Sequence, residues 1–393
     1  VERGTRRVAP ERVVKIVVVG GGIVGAAVAA TLAERGHAPL LIEQHDPGSA
    51  VSGASLACLG THMIDVEELP ALQWSCAAWA AFAASTGDAI EYRRCGQIRF
   101  LDHERERAIA LRWIERERAA GLAPELLAPA DVRAIEPALE GPIVAATWSP
   151  ADAVVNPFFA VRAYVNRARD AGATVRSGTR VDAIEVAGER VVAVRAGAER
   201  IACDAVVIAA GPWTADLART AGVDVPIAPR KAQCLVSERV APVIRTVVGA
   251  CRDDGGVDSG YTQIQQAQSG AILFNTVLGA GASAAGSRDA VPEIDRVFLR
   301  DSVATLLRLF PRLAGIALLR SWVRYEAVTP DDRFLIGRIG PAGLLLAAGD
   351  GGTGFVRAPA IGRIVADLLD DVPAPFRTDL YDPLRFAPHG AIA

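Results

Sequence analysis

Lysine is almost missing from this 393-residue chain. Of its 42 basic residues only Lys15 and Lys231 are lysine, and the rest are arginine. Beside abundant alanine this fits coding bias, since either cation serves on a solvated surface. The formal net charge is only −3, so no global basic field is there to hold nucleic acid or an anionic membrane. No uncharged apolar run approaches the ~18 residues of a membrane span. Six cysteines (Cys58, Cys76, Cys95, Cys203, Cys234 and Cys251) make no C-x-x-C pair and no zinc-like cluster with histidine. That excludes a disulfide framework, gives no metal site, and predicts reduced thiols in a cytoplasmic protein. Residues 1–12 are polar and arginine-rich. They lack the apolar core of a secretory signal and read as a flexible tail. What is abundant is apolar: 51% hydrophobic against 22% charged residues, which excludes disorder and supplies a sizeable core.

The first ordered element is expected at Val13–Val19, short, β-branched and apolar, as a strand buried on both faces must be. Glycines follow, then a helical pattern from Ile23 to Arg35, then a strand at Leu40–Ile42 ending in Glu43. Together they make a β-α-β unit. Helices are expected over Glu67–Thr86, His103–Ala120, from Asn156-Pro157 to Ala171, over Glu293–Phe310 and over Phe355–Leu369. The Glu/Arg alternation of the second predicts a solvated face. Strands are expected at Ile98–Leu101, Ala173–Arg176, Arg180–Val186, Val191–Arg195, Ala205–Ala209, Gln233–Ser237, Tyr261–Gln265, Ile272–Val277 and Leu344–Ala348. Glu189-Arg190 marks a hairpin, and Gly279–Gly286 a surface loop.

Gly20-Gly21-Gly22-Ile23-Val24-Gly25 is the strongest signal. It follows an apolar strand, opens a helix and leads to an acidic residue, Glu43, which is the dinucleotide fingerprint in full context. Gly20 permits the tight turn, Gly22 lets backbone amides reach a pyrophosphate, and Gly25 lets helix and strand pack closely. The amides of Ile23 and Val24, at the helix start, face the phosphate with the positive end of the helix dipole. Glu43 can accept from both ribose hydroxyls and would repel a 2′-phosphate. Three features favour FAD over NAD. The nucleotide pattern starts near residue 13, is interrupted by a strand-rich insertion, and resumes near the C-terminus. Val206–Trp213 is an apolar strand ending in a glycine turn. Gly349-Asp350-Gly351-Gly352-Thr353-Gly354 is another strand–glycine–helix junction, placed to face a flavin ring.

These segments, with Ser52-Gly53-Ala54-Ser55, Gly178–Val181, Thr329-Pro330-Asp331 and Ile336-Gly337, run through nearly the whole chain in family order. The sequence resembles the D-amino-acid oxidase-like family of FAD-dependent amine oxidoreductases. Gln233, Tyr261 with Gln263, and Trp322 to Asp332 look most like β-type subunits of heteromeric sarcosine, proline/hydroxyproline or opine dehydrogenases. The resemblance implies non-covalent FAD. It implies Ser52 and Ser55 at the pyrophosphate and ribityl region, Val181 at the adenine, and Gly211 and Trp213 along the ribityl chain. Asp331, Gly349, Gly351, Gly352, Thr353 and Gly354 would lie near the isoalloxazine. Departures are Leu56-Ala57-Cys58 in place of small residues and Asn, Glu326 where many oxidases carry a carboxylate-binding arginine, and Asp350 in place of a histidine.

The implied reaction moves a hydride from Cα–H to flavin N5 and leaves an imine that water hydrolyses. No side-chain base is obligatory, but a substrate carboxylate needs a cation. Arg324 is the first candidate, or else an ion-paired arginine. Tyr261 hydrogen-bonds the carboxylate, caps the site, or packs. Tyr325 and Glu326 hold the substrate ammonium or are structural. Thr61 and His62 face the flavin or are structural. Lys231 sits beside N5 or in a surface ion pair. Cys58 reads as a buried small residue. The substrate is a small amino acid or amine, and partners are other dehydrogenase subunits or an electron acceptor. Alternatives are a flavin-dependent 2-hydroxy acid dehydrogenase and a non-catalytic FAD-binding subunit. The fold class is α/β with an α+β insertion. A Rossmann-like FAD domain (13–90, 150–225 and 330–385) is expected beside a discontinuous, mostly antiparallel substrate domain (91–149 and 226–329).

Overall fold

Short, fully apolar strands demand cover on both faces, and the central sheet provides it. The computed structural model describes residues 14–251, 261–277, 292–349 and 351–386. The tail at 1–12, the loop Gly279–Gly286 and Asp350 lie outside the described residues. Six strands order as Leu335–Arg338, Leu344–Ala348, Ala205–Ile208, Ile16–Val19, Leu40–Ile42 and Thr174–Arg176. All are parallel except the first, which runs antiparallel to its neighbour. Alternate residues feed two cores. Ile16, Val18, Leu41, Val207 and Leu345 pack with helices Ile23–Glu34, Pro157–Asp170 and Gly354–Leu369. Val17, Val19, Ile42, Val206 and Leu346 pack on the other face, against helix Thr214–Thr220 and the antiparallel ribbon Ala183–Ala187, Arg190–Ala196, Glu199–Ala202. This is the doubly wound arrangement, with its crevice at the carboxyl ends of the strands.

A second sheet has eight strands, in the order Leu318–Val328, Ala228–Arg239, Ala271–Val277, Tyr261–Gln266, Val247–Ala250, Gln97–Leu101, Ala145–Ser149 and Glu125–Leu127. Only Val247–Ala250 and Gln97–Leu101 pair in parallel. One face carries Ile98, Phe100, Leu235, Val248, Ile264 and Phe274, sealed by Leu306, Leu309 and Phe310 of the helix Arg296–Leu309 and its end. The other face carries polar residues, yet it too is buried.

Several elements differ from expectation in informative ways. The helix expected from Glu293 begins at Arg296, because Asp295 caps it and accepts from the amides of Val297 and Phe298. The charged helix Arg107–Ala119 is not wholly solvated: Glu117 is completely buried. Helix Pro129–Ile135, too short for a periodic signal, went unexpected. No described helix is long and apolar enough to cross a membrane.

Candidate functional site

The first turn is built by close approach. A Cβ on Gly25 would lie 1.9 Å from the Gly20 carbonyl oxygen, so helix and strand meet there only because the residue is glycine. Glu43 secures the loop from the next strand. Its Oε2 accepts from the Gly21 amide at 2.6 Å and its Oε1 from the His45 amide at 2.9 Å. Ser52 Oγ accepts from the Ile23 amide at 3.0 Å, at the start of the helix. That leaves the hydroxyl proton for an acceptor in front of it. The Thr179 amide donates to the Glu43 carbonyl at 2.9 Å, which brings the 178–181 turn beside the acidic residue.

A cavity of about 300 Å³ runs through this crevice. Gly20, Gly22, Ile23, Val24, Glu43 and Ser52 line it, as do Val181, Gly211, Trp213 and Gly349. Ten expected cofactor residues from six separate chain segments therefore converge on one space. A Cβ on Gly22 would come 3.0 Å from Ser52 Oγ and narrow it. Backbone amides at a helix start, a hydroxyl, a carboxylate and a long, mostly apolar wall fit a dinucleotide with a flavin end. Gly25 supports the wall from behind. Ser55 does not line the cavity; its Oγ instead accepts from the Ala57 amide at 2.9 Å, beside a left-handed Ala57 (φ 53°).

The last glycine turn sits at the end of strand Leu344–Ala348. Gly349, Gly351 and Gly352 all have left-handed φ, and Thr353 precedes the helix that starts at Gly354. Arg230, missed by the sequence reading, clamps this turn. It donates to the Gly351 carbonyl at 3.0 Å, to Glu326 Oε2 at 3.1 Å and to Asp332 Oδ1 at 3.4 Å. Cross-strand register places Arg230 directly opposite Glu326, a pairing ninety-six positions apart that no local pattern reveals.

Other expectations are corrected. Asp331 does not reach toward the cavity: Arg385 takes both its oxygens, at 2.8 and 2.9 Å, and Thr329 Oγ1 donates to Oδ1 at 3.1 Å. His62 is 1% exposed and turns inward. Its Nδ1 meets Glu117 Oε2 at 2.8 Å and its Nε2 meets Thr147 Oγ1 at 2.6 Å, so both ring nitrogens are engaged. Thr61 is held by Asp152, which accepts from its amide and its hydroxyl at 3.0 Å each. Tyr325 and Lys231 oppose one another on the sheet face that carries Leu235, away from Glu326 and Arg324. Arg324 shares the face of Glu326, and its Nη1 donates to the Val323 carbonyl at 2.8 Å. Tyr261 opens its strand, and its side chain lies outside what is described. Cys58 is half-buried rather than buried, and its thiol is raised well above its ordinary value by desolvation first and Asp152 second.

A parallel sheet with a glycine-rich first turn, an acidic wall residue and a long crevice defines a dinucleotide-binding oxidoreductase. The chain belongs to the FAD dependent oxidoreductase family, whose model matches residues 15–368, and FAD is its cofactor. It is 27% identical over 290 residues to a D-amino acid dehydrogenase of Cereibacter sphaeroides, covering 73% of this chain and 64% of that protein. The match therefore spans less than two thirds of that relative's length. It is 27% identical over 368 residues to a glycine oxidase of Geobacillus kaustophilus, covering 90% of this chain and 92% of the relative. The crystal structure of L-proline dehydrogenase from P.horikoshii superposes with a TM-score of 0.86 at 28% identity, over 95% of this chain and 97% of that one.

Proposed function

We propose that the protein oxidises the C–N bond of a small amino acid or secondary amine. The observation that carries this reading is the course of the cavity. It passes from Glu43 and Val181, past Gly22 and Ser52, to Gly349 and Ala327, at the end of the strand that carries Glu326 and Arg324. The relatives named for amino-acid substrates support it. The chain's own residues would bind, orient and enclose. The glycine loop and Ser52 hold the diphosphate, Glu43 the ribose, Val181 the adenine, and Gly211 and Trp213 the middle of the cofactor. The Gly349–Gly354 turn and Arg230 fix the far end. When bound, the flavin supplies a two-electron acceptor beside the substrate C–H bond. A buried, pre-arranged polar surface then orients the substrate and excludes water.

We place this site between two units. All six strands of the parallel sheet fall within 13–90, 150–225 and 330–385, and all eight of the second sheet within 91–149 and 226–329, which supports that division. We also place the chain in the cytoplasm, as the flavin subunit of a larger dehydrogenase. The likeness of Gln233, Gln263 and the 322–332 segment to such subunits supports this. The test is anaerobic bleaching of the yellow holoprotein by glycine, sarcosine, prolines, hydroxyprolines and opines, set against 2-hydroxy acids and repeated in air. Bleaching by an amine and by no hydroxy acid is the expected result. Bleaching by hydroxy acids alone overturns the reading. Turnover only after adding a partner subunit would support the heteromeric assignment.

A further inference from the structure

Strand register draws one line of residues across the polar face of the eight-stranded sheet. Thr147 lies opposite Arg99, Arg99 opposite Gly249, Gly249 opposite Gln263, and Gln263 opposite Asn275. The line is buried: Arg99 is 7% exposed, Gln263 5% and Asn275 9%. It faces the segment that continues from Ser52. Gln265 Nε2 donates to the Leu56 carbonyl at 2.6 Å, Trp322 Nε1 to the Ala54 carbonyl at 2.9 Å, and Thr147 meets His62.

Arg99 is the anomaly in this line. With the Gln97 amide turned to satisfy both neighbours, its oxygen accepts from Arg99 Nη2 at 3.2 Å and its nitrogen donates to Asp152 Oδ2 at 3.0 Å. Among the described residues, Arg99 Nε and Nη1 have no hydrogen-bond partner. A buried cation with two idle donors is costly unless an anion meets it. Asp152 does not serve directly; Thr61 and Gln97 occupy its oxygens. Gly249 makes room for the guanidinium. A Cβ there would stand 2.7 Å from both Nη1 and the Thr262 carbonyl oxygen and 3.2 Å from Cδ, so the bare glycine lets Arg99 lie across the neighbouring strand toward Gln263. At Glu326, where the family resemblance leads one to expect a cation, the structure has a carboxylate already paired with Arg230.

We propose that Arg99, lying over Gly249 beside the Gln263 amide, is the cation that receives the substrate's carboxylate. This rests on the amine-oxidation reading and assigns its substrate as an amino acid, or an imino acid, rather than a simple amine. The two idle donors lie on different edges of the guanidinium, so a carboxylate oxygen accepts from one of them in a charge-assisted hydrogen bond.

The experiment titrates FAD-loaded protein with propionate and follows both the flavin absorbance and the heat of binding. Propionate binds the wild type, and Arg99→Gln weakens it about 100-fold. Arg99→Lys recovers part of that loss, and Gly249→Ala weakens binding about tenfold by displacing Nη1. The preference in kcat/KM for proline over pyrrolidine falls toward unity in Arg99→Gln. Unchanged propionate affinity in a fully FAD-loaded Arg99→Gln protein overturns the assignment. So does a wild type that binds no propionate, or a loss that follows Arg324→Gln instead. Should Arg99→Gln not fold, unaltered binding in Gly249→Ala overturns it as well. Arg99-dependent propionate binding in a protein that no amino acid reduces would leave this site standing and remove the amine-oxidation reading. Reduction by amino acids without Arg99 dependence would do the reverse.

Discussion

The Arg357 guanidinium grips the Glu68 carboxylate at two points, Nε to Oε2 and Nη2 to Oε1, each 2.8 Å, with both side chains buried. Tyr381 Oη donates to the same carboxylate at 3.1 Å. The pair ties the first turn of the last long helix, just beyond the glycine turn at 349–354, to the chain leaving the 54–62 segment. Removing one partner strands the other charge in the interior. Glu68→Ala is expected to cost about 3–5 kcal/mol. Denaturant unfolding of the holoprotein measures it, and a loss below ~1 kcal/mol would contradict the assigned role.

Gly25→Ala puts a methyl group 1.9 Å from the Gly20 carbonyl oxygen, which forces the helix off the strand. The expected product is a protein with little bound flavin, read as flavin absorbance per protein after dialysis. Gly22→Ala meets a softer obstacle, the Ser52 hydroxyl at 3.0 Å, and is expected to reduce FAD affinity by a smaller factor.

Glu43 is both a wall of the cavity and the acceptor that holds the Gly21 amide. Hydrogen bonds to a charged group contribute about 1.5–3 kcal/mol. Glu43→Ala is therefore expected to weaken FAD binding by roughly ten- to a hundredfold. Fluorescence titration of the apoprotein with FAD reads this directly.

Burial pushes the Asp331 carboxyl upward, but Arg385, the Arg333 amide and Thr329 outweigh it and hold the group below its ordinary value of 3.8. A carboxylate depressed in the folded state adds stability above the unfolded value and loses it as pH falls through the folded one. The melting temperature of Asp331→Asn should therefore fall short of wild type at neutral pH. The gap should close on acidification below about pH 4.

Cys76 and Cys234 are each pushed up to about 12 by burial, and Cys58 is raised well above its usual value. Thiolate is the reactive form. These three cysteines should resist an aromatic disulfide reagent in the native holoprotein at neutral pH and react on unfolding. Mass mapping of the labelled sites checks it.

The cofactor crevice was legible because its parts are local. A glycine run, an acidic strand end and Ser52 each carry a signature within a few residues, and ten of the expected positions line one cavity. The polar sheet face was not legible. Gln97-Ile98-Arg99-Phe100 alternates as a half-exposed strand does, and alternation alone cannot say whether the polar side meets water or the 54–62 segment. The same ambiguity hid Glu117, one acid among many on a charged helix. Arg230 escaped because its partners come from a cross-strand ladder and a distant turn. Asp331 misled because Arg385, more than fifty positions on, claims it.

The walls of the crevice are drawn from residue 19 through residue 349. A ribosome must therefore deliver the chain through Gly349 before the receptacle for the coenzyme is complete. Acquisition of colour then waits for the final parallel strand, and premature termination anywhere upstream of it should yield pale, protease-sensitive material.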